Sequence, residues 1–217
     1  MRKASSFQDE LEGVLQYMNE GPSKNHVISR ETIRQCLDWV YVSCWYAEPV
    51  ESHAMWQLYG KSTEAVAIET SEQWLRMAYF RAATRMQTYL EDVRYTHPGA
   101  ADFGKAPPVL VLQKNQDPIF DTRAVFAALF SYLKHTGYSF EKEARLVIVD
   151  PKANADVRNP EPGYTLPVDA TREIVREVIL HPSASSWFEN LVVDTVRRYG
   201  VDAKVRRSML AENAPAI

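Results

Sequence analysis

The chain has 217 residues, 46% of them hydrophobic and 24% charged, with a net charge of −3. That length and apolar share allow one domain with a full hydrophobic core, so the expectation is a single domain spanning 1–217. The slightly acidic balance excludes an overall basic footprint for nucleic acid as a partner.

In chain order, Phe7, Leu11, Val14, Leu15, Tyr17 and Met18 recur at helical spacing until Gly21-Pro22-Ser23 breaks the pattern. Ser29 reads as the N-cap of a helix through Ile33, Cys36, Leu37 and Val40. A β-rich run, Val40–Trp45, follows at once. Ser52 is expected to cap a short helix through Met55, Trp56 and Tyr59, closed by Gly60. Ala65–Ile68 reads as a short buried strand. Ser71 opens a predicted helix with Leu75, Phe80, Ala83, Met86 and Leu90 on its apolar side.

Residues 96–108 read as loop. Asp121 is expected to cap a helix through Phe126, Leu129, Phe130 and Leu133. The strand Ala144–Val149 is next, and residues 150–163, rich in proline and asparagine, form a predicted surface loop. Thr165–Val168 reads as extended, and Asp169 as a cap. Val178–Leu180 is a strand stopped by His181-Pro182. Ser185 or Ser186 begins a helix ended by Gly200, and Val201–Val205 is the last predicted strand. Short strands interleaved with helices favour an α+β fold with a mixed, mostly antiparallel sheet and flanking helices.

Cys36 and Cys44 sit among apolar neighbours and make no disulfide framework, which fits free buried thiols in a reducing compartment. No signal-peptide core and no membrane-length apolar run are present, so a cytoplasmic location and no membrane partner are expected. The five histidines are scattered without metal-ligand spacing, and no glycine-rich phosphate loop exists, so no metal or P-loop is expected. Near the C-terminus, Arg197, Arg198, Lys204, Arg206 and Arg207 form a local basic run, read first as a solvated face.

Glu141-Lys142-Glu143 is the sharpest polar signal. Residues i and i+2 of a strand share a side, so the two carboxylates would repel and one would hold its proton more tightly, as an acid/base pair requires. The competing reading is structural: both pair with Arg145 or with basic residues of a neighbouring strand. Ser43 and Cys44 lie near a strand end, with His53 the nearest histidine in sequence, but no spacing among them is diagnostic of a nucleophile and its base. Trp45, Tyr46, Trp56 and Tyr59 cluster around this segment, more in the manner of a core than of a ligand platform.

Ser43-Cys44-Trp45, the run Glu51–Gly60, Glu64–Ile68, Phe140–Leu146, Ile179–Pro182 and Ser208-Met209-Leu210 together resemble a bacterial domain-of-unknown-function family, number twenty-nine seventy-one. The resemblance spans nearly the whole chain and implies no established activity. Ser6–Gly13 resembles that family's Phe-Asn-Asp-Pro-type motif, with Gln8 and Glu10 as departures. In the family a Tyr-rich strand precedes it, so an N-terminal segment is expected to be missing here.

The order Val42-Ser43-Cys44, Met55–Tyr59, Ala65–Ile68 and Glu141-x-Glu143 is also similar to the ADP-ribosyltransferase fold. That resemblance implies NAD as substrate, with Glu143 stabilising the positive charge that develops as the nicotinamide–ribose bond breaks. It makes Glu141 the group that orients the acceptor, Ser43 the ribose contact, and Tyr46, Tyr59 or Trp56 an aromatic surface for nicotinamide. It requires Ser43 and Glu143 to share one cleft. The alternative is a non-catalytic domain that recognises a protein or nucleic acid in a defence or stress system, in which Glu141, Glu143 and Arg145 form a closed ion-pair network. A third, weaker option is a hydrolase using the carboxylate pair on a phosphate or glycosidic bond.

Overall fold

A computed structural model describes residues 1–6, 30–82, 87–97, 128, 131–154, 156–166, 169 and 174–211. The helical pattern read over residues 5–20, the Ser29 and Asp121 caps and the helix expected after Asp169 fall largely or wholly outside them. The fold is α+β with mixed, mostly antiparallel sheets, as expected. The chain divides into two compact units: Met1–Ala47 with Ala83–Leu166, and Glu48–Ala82 with Pro167–Ile217.

The first unit carries strands β1 (Arg2–Lys3), β2 (Val40–Tyr46), β4 (Gln87–Asp92), β5 (Arg94–Thr96), β6 (Leu133–His135) and β7 (Glu143–Val149), with helix α1 (Arg30–Leu37). Its antiparallel sheet runs β1-β2-β7-β4, with β7 flanked by β2 and β4 along its length. A strand inside a sheet that is covered on both faces loses the usual apolar–polar alternation. Leu146, Val147, Ile148 and Val149 are accordingly all buried. One face packs Val40, Val42, Tyr89, Val147 and Val149 against Cys36, Ala128 and Tyr132. Tyr132 seals it by donating its hydroxyl to the Tyr89 carbonyl at 2.9 Å.

After β4 the chain leaves the large sheet. Val93 N donates to Glu143 O at 2.8 Å, Arg94 N donates to Tyr132 O at 2.7 Å, and β5 then pairs in parallel with β6. This step brings β6 beside the start of β7. It also corrects two expectations. Leu90 belongs to β4 rather than to the helix after Ser71, and Leu133 begins β6 rather than ending a helix. In both places apolar side chains that fit a helical period pack instead on a sheet, where pairing with β7 or β5 satisfies the backbone.

The second unit holds β3 (Val66–Glu69), β8 (Glu177–Leu180) and β9 (Lys204–Arg207) in the order β3-β8-β9, antiparallel then parallel. Among its described residues are the helices α2 (His53–Tyr59), α3 (Glu72–Ala82) and α4 (Ser186–Arg198). Ser52 caps α2 by accepting from Met55 N at 3.4 Å, as its position predicts. Gly60 closes α2 where a Cβ would meet the Trp56 ring at 2.7 Å, so only glycine lets the chain pass. Ser71 accepts from Trp74 N at 3.3 Å, and α3 buries Leu75, Ala78 and Tyr79 at i, i+3 and i+4.

Ser185 caps α4 through Phe188 N, and Gly200 follows its end with φ of 63°, the left-handed geometry glycine adopts freely. Leu180, Ala184 and Phe188 form one buried cluster of this unit, with Val192 and Val205 against it. The last strand among the described residues is Lys204–Arg207, displaced from the expected Val201–Val205. Among the described residues no helix is long and apolar enough to cross a membrane.

Candidate functional site

Glu141 does not lie on the strand that Glu143 begins. It ends a 3-10 turn, Thr136–Glu141, and Lys142 between them adopts φ of 42° and ψ of 53°. This left-handed residue is the local cause of the site. It reverses the chain so that Glu141 and Glu143 converge without sharing a strand face. The expectation of a strand pair is corrected, while the convergence it predicted is retained by other means.

Both carboxylates are enclosed, and so are their partners. Lys134 Nζ donates to Glu141 Oε2 at 2.6 Å and to Glu143 Oε1 at 3.0 Å. Arg145 Nε donates to Glu143 Oε2 at 2.5 Å, and its Nη1 donates to the Ser131 carbonyl at 2.6 Å. Glu141, Glu143, Lys134 and Arg145 are 5, 7, 6 and 2% exposed, a charge-balanced buried quartet. The Lys134 ammonium also sits 4.8 Å from the centre of the Tyr138 ring, and the Tyr95 hydroxyl accepts from Glu143 N at 2.8 Å.

The two carboxyls are driven apart. Burial and the neighbouring Glu143 push Glu141 above the usual carboxylate range, against the pull of Lys134. Burial also works against ionised Glu143, but the bond with Glu141, the Arg145 guanidinium and Lys134 outweigh it and draw this carboxyl down to about 2.

The remaining candidates do not join this quartet. In the β2–β7 register Tyr46 stands opposite Glu143 and Ser43 opposite Leu146. Opposed residues share a face and successive residues alternate, so Ser43 and Glu143 point to opposite faces of the sheet. The one-cleft arrangement implied by the ADP-ribosyltransferase resemblance is therefore not made by these two side chains. Ser43 Oγ instead accepts from Trp45 Nε1 at 3.1 Å. Tyr46 and Cys44 lie on the face of Glu143 and Arg145.

No family profile, curated protein or solved structure matches this chain. The reading of the site rests on its own geometry.

Trp56 and Tyr59 belong to the second unit. Trp56 is a buried residue of that unit, its Nε1 donating to Glu51 Oε2 at 3.1 Å and its ring meeting His181 edge-on, with centroids 5.3 Å apart. It has no open face to offer a planar ligand. Tyr59 is 65% exposed. Among the described residues no group of three or more His, Cys, Asp or Glu is placed to hold a metal ion.

A second polar centre went unrecognised in the sequence. Glu51 accepts from Trp56 Nε1, Ser208 Oγ, Met209 N and Arg206 Nη1. Burial raises its carboxyl, but these four donors together hold it below the usual range. Arg206 also reaches Glu177 at 2.6 Å and Glu69 at 3.1 Å, and the three carboxylates raise its already high pKa further. Arg207 is engaged by Glu189 at 2.6 Å. Two arginines of the C-terminal basic run, Arg206 and Arg207, thus face carboxylates of their own unit. The sequence signal lay in Glu51 and the Ser208-Met209-Leu210 tail, which stood in one motif without a stated link.

Glu51→Gln is expected to lower stability by about 1–3 kcal/mol, because an amide accepts these donors more weakly and leaves Arg206 less compensated. Thermal unfolding of the variant measures this, and an unchanged midpoint would show that the tail is not tied through Glu51.

Proposed function

We propose that this protein is a non-catalytic recognition domain for a protein target. The observation that carries this reading is the outer surface of α4. Trp187 and Leu191 stand one turn apart at 62 and 47% exposure, and Tyr199 just beyond the helix is 72% exposed. An exposed aromatic and an exposed aliphatic group side by side on a helix, with a further exposed aromatic at its end, are the composition of a protein-binding surface. The carboxylate pair supports the same reading, since both members are already engaged by buried cations. Nucleic acid fits less well, because Arg206 and Arg207 are paired with carboxylates.

Trp187→Ala combined with Leu191→Ser should leave the unfolding midpoint unchanged and abolish capture of a specific protein partner. A Trp74→Ala control should retain that partner. Equal capture by all three proteins would count against the surface. Fluorescence anisotropy with single- and double-stranded oligonucleotides at low salt should show no binding.

An NAD-using transferase is the second reading, favoured by the opposed protonation tendencies of Glu141 and Glu143, and it would have to work without Ser43. Under it, purified protein releases nicotinamide from NAD and Glu141→Gln abolishes the release. Under the first reading there is no release.

A further inference from the structure

The sheet of the second unit, β3-β8-β9, has two edges among the described residues, and they are built differently. The β9 edge reads Lys204-Val205-Arg206-Arg207. Charged side chains on an edge strand oppose pairing with another chain. The β3 edge reads Val66-Ala67-Ile68-Glu69, with no charge before its last residue and no proline. Its apolar side chains are open to solvent, Val66 at 43% and Ile68 at 48%. Opposed residues share a face, so Val66 stands beside Leu180 and Ile68 beside Val178, which are 0 and 7% exposed. Leu180 and Val205 pack against Phe188 and Val192 of α4. The helix thus covers β8 and β9 on this face and leaves the β3 side chains half open.

The backbone of β3 is open on the same edge. Ala65 O accepts from His181 N at 3.1 Å, and Glu69 O accepts from Arg176 N at 3.0 Å, so both carbonyls turn towards β8. Backbone direction alternates along a strand, so Ala67 also turns to β8. Val66 and Ile68 then point their N–H and C=O groups outward, where no strand pairs with them among the described residues.

We infer that β3 is the contact through which a second copy of this chain pairs antiparallel, about a two-fold axis at Ala67. Self-complementarity selects that occupant. In this register Val66 of each copy lies opposite Ile68 of the other and exchanges both backbone bonds with it, so every outward group finds a partner. The β-branched side chains meet across the seam as favourable cross-strand pairs. Ala67 meets its own copy at the axis, the one place where a charged residue would repel itself. Glu69 falls opposite Ala65, so no like charges are opposed. A self-complementary contact of this kind closes with two copies. The strand is short, so the interface is small and the dimer forms only as concentration rises. The charged β9 edge keeps the paired sheet from extending further. This inference goes beyond the recognition surface of α4 and does not depend on it.

Sedimentation equilibrium of the full chain tests the pairing. Between about 1 μM and about 500 μM the wild type should pass from one chain mass towards two. Val66→Lys and Ile68→Pro should each weaken association by on the order of tenfold or more. The proline removes an outward N–H and leaves the bonds to β8 in place. Trp187→Ala combined with Leu191→Ser should associate as the wild type does. Under mild oxidation Ala67→Cys should give a disulfide-linked dimer, because the introduced thiols meet at the axis, while Ala65→Cys and the wild type should not. A single chain mass at every concentration, a mass rising beyond two chains, or association lost in the α4 variant and kept in both β3 variants would overturn the proposal. So would cross-linking through Ala65→Cys and not through Ala67→Cys. If Ile68→Pro is unfolded by circular dichroism, Val66→Lys and the cross-link decide.

Discussion

Glu143→Gln will lower folding stability by about 3–5 kcal/mol, read as a fall in the urea midpoint at constant slope. The amide keeps the volume of the side chain and removes its charge. Arg145 Nε and Lys134 Nζ then lose the anion they share, and two cations at 2 and 6% exposure lose its compensation. The penalty comes from leaving buried charge uncompensated, not from the worth of any one hydrogen bond. A loss below about 1 kcal/mol is the value of an exposed pair and would mean that the quartet is solvated.

The second large effect is acid lability. Glu143 is ionised in the folded protein down to about 2, against an ordinary carboxylate value of about 4.3 when unfolded. A depressed folded value means that the unfolded chain binds the proton first. Its contribution, on the order of 3 kcal/mol, is therefore complete above the unfolded value and is lost as pH falls from about 4.3 towards 2. Glu141 has the opposite sign. Its folded value is raised, so the folded state takes the proton first, and this group disfavours folding as pH rises above the unfolded carboxylate value. Glu51, held low by its donors, adds to the loss in acid. Urea midpoints at pH 7, 5 and 3 should fall steeply only over the last interval, and Glu143→Gln should flatten that fall. Equal acid sensitivity in the two proteins would place the lability elsewhere.

Local elements with strong chemical punctuation were legible from the sequence. Ser52 and Gly60 bracket α2, Ser185 and Gly200 bracket α4, and the Val-rich runs gave β2 and β7 within a residue or two. Leu90 and Leu133 were misread because an apolar side chain at helical spacing fits equally well on a sheet covered from both sides. The partners that decide between these readings are distant in sequence: Leu90 stands opposite Leu146, and Leu133 opposite Arg94.

The site was half legible for the same reason. Glu141, Glu143 and Arg145 stood out as neighbours in sequence, and their pairing with a basic residue from another strand was one of the readings weighed. Lys134 was missed, although a lone lysine after Ser131-Tyr132-Leu133 has to find an anion if that run is buried. Ser43 was placed correctly on β2 but on the wrong face, since register cannot be read from one strand. The left-handed turn at Lys142 had no sequence signal, because lysine is not a residue that favours it.

The central claim is that Glu143, Arg145, Lys134 and Glu141 act as one coupled structural network. A double-mutant cycle of Glu143→Gln and Arg145→Met, read by urea unfolding, tests it most directly. The account predicts strong non-additivity, with the double variant more stable than the sum of the single losses by about 1–3 kcal/mol, because removing both partners leaves fewer stranded charges. Additive losses within about 0.5 kcal/mol would contradict it.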